Sequence, residues 1–259
     1  METLLSLLTH RSTILAGLCL LSGCASVPSR VTSYKPPVPP QGIVLVTNGA
    51  GGNTEATRAL VSAVKKSGLP LSIRTFEWTH GVGRSVTDMT DVEHAQEQGR
   101  LLAEQIITYR ATYPNTPIYL LGYSAGTHVT LEATRWLEPN SLERVILLAP
   151  AVSSEYDLSV TLAAARQGVD VYTSQRDRLY LGTGTDIVGT ADGLRGVPAA
   201  GRVGFEPPAP LDANLARRLR QHPWNRSVAW TGNDGSHAGG LQSTYLRAYI
   251  LPLLTPAAR

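Results

Sequence analysis

The stretch Ile118-Tyr119-Leu120-Leu121-Gly122-Tyr123-Ser124-Ala125-Gly126-Thr127-His128-Val129-Thr130-Leu131-Glu132 decides how the rest of the chain is read. Its first four residues form an apolar, partly β-branched and aromatic run that reads as a buried strand, and the residues from Thr127 onward continue as a helix. Gly122 and Gly126 flank Ser124 symmetrically between them. A strand that bends sharply into a helix brings the residues on either side of the apex against neighbouring backbone, so only glycine fits at those flanks. The apex side chain, the Ser124 hydroxyl, is left exposed. The pentapeptide alone is weak evidence; the strand before it and the helix after it make it strong.

Upstream, Ile43-Val44-Leu45-Val46 reads as a buried strand running into a glycine-rich turn, Asn48-Gly49-Ala50-Gly51-Gly52. Thr54 is placed to cap a helix through about Ser67, ended by Gly68 and Pro70, and Leu71 to Trp78 alternates like a second strand. A polar stretch from Thr79 to Thr90 precedes an expected helix from Asp91 to Tyr113, with Leu101, Leu102, Gln105, Ile106 and Tyr109 on its apolar face and Pro114 and Pro117 beyond its end. Downstream, strands are expected at Val145 to Leu148, Val169 to Tyr172 and Ser227 to Trp230, a helix over Leu158 to Ala165, and a closing helix from Leu241 to Leu254. Such alternation predicts an α/β fold, with a mainly parallel sheet and helices on both faces. Only about twenty residues separate Pro150 from the strand at Val169, too few for a large cap domain there.

The composition limits the chemistry. Across 259 residues, 23 Lys and Arg balance 20 Asp and Glu without basic runs, which argues against a nucleic-acid partner. Both cysteines, Cys19 and Cys24, fall in the first 24 residues, so the body has no thiol nucleophile and no Cys-ligated zinc site. Residues 1–23 have the layout of a secretory signal, with Arg11 followed by an apolar run from Ile14 to Leu21. Leu21-Ser22-Gly23-Cys24 resembles the bacterial lipobox, which implies that Cys24 is diacylated and becomes the N-terminus of a lipoprotein held at the cell envelope, on the outer membrane or cell surface. Residues 24–41, with prolines at 28, 36, 37, 39 and 40, read as a semi-rigid tether to a body spanning 42–259.

With the serine turn placed inside a β/α chain, the span 42–254 resembles the α/β-hydrolase superfamily of serine hydrolases, lipases and esterases among them. The resemblance implies the α/β-hydrolase fold and a catalytic Ser124 acting with an acid and a histidine that follow it in that order. A serine hydroxyl is a poor nucleophile and needs a base within hydrogen-bond reach, itself oriented by a third group. His237, in the loop Gly232 to Gly240, occupies the family's place for the base, and Asp177, after the strand at Val169, the place for the acid. His222 suits a solvated or capping role, and His128 packing beside the serine. Asp157 holds a position that a minority of lipases use, Asp170 falls at the wrong end of its strand, and Asp234 is placed to shape the histidine loop. A bland reading of Asp177 is an ion pair with Arg176 or Arg178.

The resemblance also implies an oxyanion hole from the backbone amides of Ala125 and Ala50, with Gly51 a close alternative to Ala50. Asn48 stands where the family commonly has histidine. No metal or cofactor is implied, and the partners are a small-molecule or lipid ester and the membrane through the anchor. The expected activity is carboxylester hydrolysis; a peptidase or thioesterase would use the same three residues, and a binding protein could keep the fold without turnover. The segment from Gly182 to Gln221, rich in Gly and Pro, is expected to be a loop that governs access to Ser124.

Overall fold

The computed structural model describes residues 33–206 and 211–255. A seven-stranded sheet runs in the order β1-β3-β2-β4-β5-β6-β7. Its strands are β1 (Ser33–Tyr34), β2 (Gly42–Thr47), β3 (Leu71–Thr75), β4 (Ile118–Tyr123), β5 (Arg144–Leu148), β6 (Val169–Thr173) and β7 (Leu219–Pro223). All neighbours pair in parallel except β1, which lies antiparallel on the edge of β3. The α/β-hydrolase fold expected from the sequence is the fold observed. After β5 the chain makes only one short helix before β6, with no large cap inserted there.

Strict alternation along the strands splits the core in two, because successive side chains of a strand point to opposite faces. Ile43, Leu45, Ile118, Leu120, Val145, Leu147, Val169 and Val171 face one side, where α3 (Val92–Thr112), α4 (Gly126–Thr134) and α5 (Ser159–Ala164) cover them. Val44, Val46, Tyr119, Leu121, Ile146 and Leu148 face the other, beneath α1 (Glu55–Ser67) and the closing helical segment Ser243–Leu254. On α3 the buried stripe is Ala95, Gly99, Leu102, Ala103 and Ile106. Leu101, expected on that face, is exposed, and the small residues instead let α3 approach α4 so closely that a Cβ on Gly99 would lie 2.5 Å from Glu132 Cβ.

Several expectations need correction. The expected strand at Ser227 to Trp230 is a 3₁₀ helix, Arg226–Thr231, capped by Asn225 and with Trp230 68% exposed. The last strand is β7, a polar edge strand without the apolar signature of a buried one. It is held to β6 partly by charge: Arg220 and His222 both reach the buried Asp170 carboxylate. His222 therefore lies within a strand, stacked on Tyr172 with ring centroids 4.6 Å apart, and is neither a cap nor merely solvated. The stretch Thr79 to Thr90 contains a helix, α2 (Ser85–Thr90), and the closing helix is a chain of short α, π and 3₁₀ turns. Strand β1 falls inside residues 24–41, so the sheet begins within the stretch read as tether. The signal segment and Cys24 lie outside the described residues.

Of the Gly182 to Gln221 segment, the part up to residue 206 is no loose excursion. Residues 190–206 are stitched to 151–154: Ala191 N donates to Ala151 O, Ala200 N to Val152 O, Ser154 N to Pro198 O and Glu206 N to Ser154 O. Asp192 accepts both the amide and the hydroxyl of Ser153, at 2.8 and 2.7 Å. Leu181, Ala191, Ala199, Ala200 and Phe205 join the core.

Candidate functional site

Strand order changes direction between β2 and β4: from β2 the chain goes outward through α1 to β3, then returns to place β4 on β2's other side. Such a switch point opens a crevice at the carboxyl ends of the strands. Ser124 follows β4 and the loop Asn48 to Gly52 follows β2, so the topology brings them together. A Cβ on Gly49 would stand 3.3 Å from Ser124 Cβ.

Ser124 adopts φ 54°, a left-handed conformation that a side-chain-bearing residue takes only where its surroundings hold it. Its amide donates to Leu148 O at 3.0 Å, and its carbonyl accepts the amides of Thr127 and Ala151 and, at 2.6 Å, the Thr127 hydroxyl. The flanking glycines are needed for the reason read from the sequence. A Cβ on Gly122 would meet Thr130 Oγ1 at 2.8 Å, and one on Gly126 would meet the carbonyl oxygens of Asn48 and Thr47 at 2.2 and 2.4 Å.

The structure brings Ser124, His237 and Asp177 into one line. His237 Nε2 lies 2.9 Å from Ser124 Oγ, and its Nδ1 lies 2.5 Å from Asp177 Oδ2. The tautomer that satisfies both contacts carries its proton on Nδ1, donating to the carboxylate, and accepts the serine O–H at Nε2. Asp177 is buried and its second oxygen accepts the Leu181 amide at 3.4 Å. It makes no ion pair with its neighbours; Arg176 instead lies over the Trp224 ring. The histidine loop is fastened by Ser174 Oγ of the Asp177 loop, which donates to Gly235 O at 2.6 Å, and by Trp224 Nε1, which donates to Asn233 O. Asp234 shapes the turn by accepting the Ser236 amide. The imidazole is held between Tyr123 and Tyr180, with centroids 5.2 and 4.7 Å away. Burial pushes the Tyr123 phenol well above its usual range, so that ring stays neutral.

In the loop that passes Ser124 at Gly49, the Asn48 side chain accepts the Thr57 amide and donates to the Thr57 hydroxyl, tying the loop to α1. Trp78 Nε1 donates to Asn48 O at 2.8 Å. The Gly51 amide donates to Asp88 Oδ2 at 2.7 Å. The amides of Ala50 and Ala125 have no acceptor among the described residues. Of the two alternatives on this loop, Gly51 is engaged and Ala50 is free.

The other candidates lie apart from this line. Asp157 is exposed and caps Ser159, and Asp170 is held by Arg144, Arg220 and His222. His128 is buried in α4 with Nε2 3.6 Å from Glu132 Oε1. Sequence reading passed over Asp88, inside a polar connection that carries no motif, and Tyr180, which only its place three residues after Asp177 could have marked.

The model of the family described as serine aminopeptidase, S33, matches residues 38–179, more than half of the chain. The chain belongs to the serine aminopeptidase S33 family. The matched span of this S33 chain includes Ser124 and Asp177 and stops before His237. It is 28% identical over 134 residues to a monoglyceride lipase homolog of monkeypox virus, covering 51% of this chain and 47% of that one. It is 27% identical over 130 residues to the monoglyceride lipase of Rattus norvegicus, covering 50% and 41%. The chain thus spans less than half the length of these relatives in the matched regions. Among solved structures, esterase PE8 is similar at 15% identity and a TM-score of 0.49, covering 84% of this chain and 97% of that one.

Proposed function

We propose that this S33 chain is a serine hydrolase that cleaves carboxylic esters of lipid or small-molecule type through Ser124, His237 and Asp177. The observation that carries the reading is the continuous hydrogen-bonded line from Ser124 Oγ through both ring nitrogens of His237 to a buried carboxylate, with the serine on a turn strained to φ 54°. In this mechanism His237 Nε2 takes the Ser124 proton as Oγ attacks the acyl carbonyl. The charge that develops on the carbonyl oxygen is received by the amides of Ala125 and Ala50, each donor worth about 3 kcal/mol in comparable sites. The imidazolium, stabilised by Asp177, then protonates the departing alcohol. Water, deprotonated by the same nitrogen, releases the acid from Ser124.

The preference for esters over peptides rests on the surroundings and on the relatives. An aminopeptidase has to hold its substrate's α-ammonium with carboxylates. The two carboxylates hydrogen-bonded into the loops of this site, Asp177 and Asp88, are buried and already engaged, and the exposed Asp234 of the histidine loop accepts the Ser236 amide. What lies exposed against His237 is an aromatic ring, Tyr180, stacked on the imidazole and 60% accessible, with the exposed Leu179 next to it in the chain. The two named relatives are a monoglyceride lipase and its viral homolog, which makes a monoacyl glyceride ester a natural first substrate to assay. The test is steady-state hydrolysis of matched ester, thioester and aminoacyl-amide substrates with one acyl group. The expected result is kcat/KM for the ester at least about 100-fold above the amide, with Ser124→Ala inactive on all three. An amide preference would move the assignment to peptide hydrolysis.

Cys24 is proposed as the acylated residue that tethers the domain to the cell envelope. Cys24→Ser is expected to shift the protein from the membrane to the soluble fraction and to remove the lipid mass; unchanged fractionation would refute the anchor.

A further inference from the structure

We propose that Asp88 is a positioning residue that fixes the Ala50 amide as an oxyanion donor, acting through a clamp it forms with His80; the proposal rests on the reading of Ser124 as nucleophile. The loop to be fixed contains Gly49, Gly51 and Gly52, and glycine-rich backbone has the most conformational freedom to lose. Yet oxyanion stabilisation depends on donors that are already aimed before charge develops. Some other part of the molecule has to supply that order.

The stretch 78–94 supplies it at both ends of the loop. At the first end, Trp78 donates its indole N–H to Asn48 O, and its own carbonyl is held by His94 Nε2 at 2.6 Å. At the second, Asp88 accepts the Gly51 amide at 2.7 Å. The Asp88 side chain is inaccessible to solvent, and a buried carboxylate is costly unless hydrogen bonds surround it. His80 provides two, from its amide at 2.8 Å and from Nδ1 at 2.9 Å, both to Oδ1. The His80 ring is itself packed against the His94 ring, with centroids 4.0 Å apart. Packing leaves the loop no slack, since a Cβ on Gly51 would strike Ser85 Oγ at 2.4 Å and one on Gly52 the Gly81 and Val82 backbone at 2.8 Å. Ala50 sits between the two fixed ends with its amide free.

The arrangement does not look like a metal site, as no grouping of His, Cys, Asp and Glu able to hold a metal occurs among the described residues. Nor does Asp88 or His80 hydrogen-bond to Ser124, His237 or Asp177. Their influence on chemistry would pass through the loop alone.

Asp88→Asn keeps the size of the side chain but leaves only one accepting oxygen for three N–H donors. The expected result is kcat lowered about 10- to 100-fold with KM changed less than about threefold, and affinity for a boronic acid transition-state analogue lowered in proportion to kcat/KM. Ser124 should still be labelled to completion by a fluorophosphonate, more slowly, and hydrogen exchange should quicken in residues 48–53 only. His80→Asn, which places an amide donor near the Nδ1 position, should retain most activity, whereas His80→Leu should lose it as Asp88→Asn does. Unchanged kcat and loop exchange in folded Asp88→Asn would overturn the proposal, as would a loss that follows the folded fraction alone. If Asp88→Asn does not fold, equal activity of the two His80 variants overturns it. A wild-type protein that Ser124 probes never label would instead overturn the nucleophile reading, while loop exchange in the variants would still report on the clamp.

Discussion

Ser124 is held in a backbone conformation that costs free energy, and four hydrogen bonds to its own amide and carbonyl keep it there. The strain presents Oγ to His237, away from the packed strand and helix behind it. This much was legible in the sequence, since glycine at both flanks has a steric reason that a single chain can state. The partners were legible only through their order and through the loops they occupy; nothing in the residues around Asp177 says that it is buried and not paired to Arg176. Asp170 shows the opposite limit. Burial alone would push its carboxyl upward, but the hydrogen bonds from His222, Arg220 and Arg144 outweigh this and hold it well below the ordinary range. A carboxylate depressed in the folded state contributes stability above its unfolded value, near pH 4, and loses that contribution as pH falls below it. Asp170→Asn should therefore cost stability at pH 7, on the order of 3 kcal/mol because it strands Arg144 and Arg220. The gap to wild type should narrow as unfolding is measured at pH 4, 3 and 2.5; a gap of constant size would refute the account.

At the scale of elements, hydrophobic pattern found the strands buried on both faces and missed the two edge strands, β1 and β7, that are not. β2, β4 and β5 are nearly continuous apolar runs because helices cover both sides of them, and β6 keeps apolar Val169, Val171 and Tyr172 around the one buried charge, Asp170. β7, Leu-Arg-Gln-His-Pro, sits at the edge and takes its register from β6 with help from the Arg220 ion pair and the His222 hydrogen bond to Asp170, a signal that periodicity does not contain. The apolar run Val228-Ala229-Trp230 attracted the strand assignment in its place. The segment after Asp177 shows the same limit in reverse: rich in Gly and Pro, it reads as a loop, yet its small residues are what allow it to lie flat on 151–154. A Cβ on Gly201 would come within 2.5 Å of the Ala149 carbonyl carbon and of Leu181 Cδ1. Replacing residues 184–204 by a Gly-Ser linker should thus lower the thermal midpoint substantially, because Ala191, Ala199 and Ala200 leave the core and the hydrogen bonds to Ser153 and its neighbours are lost. A midpoint within about 2 °C of wild type would show that the segment is dispensable after all.

The whole molecule is organised around one switch in strand order. The loops after β2 and β4 meet there, and the loops after β6 and β7 deliver Asp177 and His237 from the side of the sheet toward which β5 and β6 extend. One sheet edge thereby gathers residues 113 and 60 positions apart into hydrogen-bond contact. The hydrolase proposal depends on Ser124 being the nucleophile at this convergence. The most direct measurement is reaction of the folded protein with a fluorophosphonate, followed by mass spectrometry of the labelled peptide. The account predicts one adduct per chain, located on Ser124, absent from Ser124→Ala and strongly slowed in His237→Ala. A folded wild-type protein that takes up no label, or an adduct on any other residue that persists in Ser124→Ala, would contradict it.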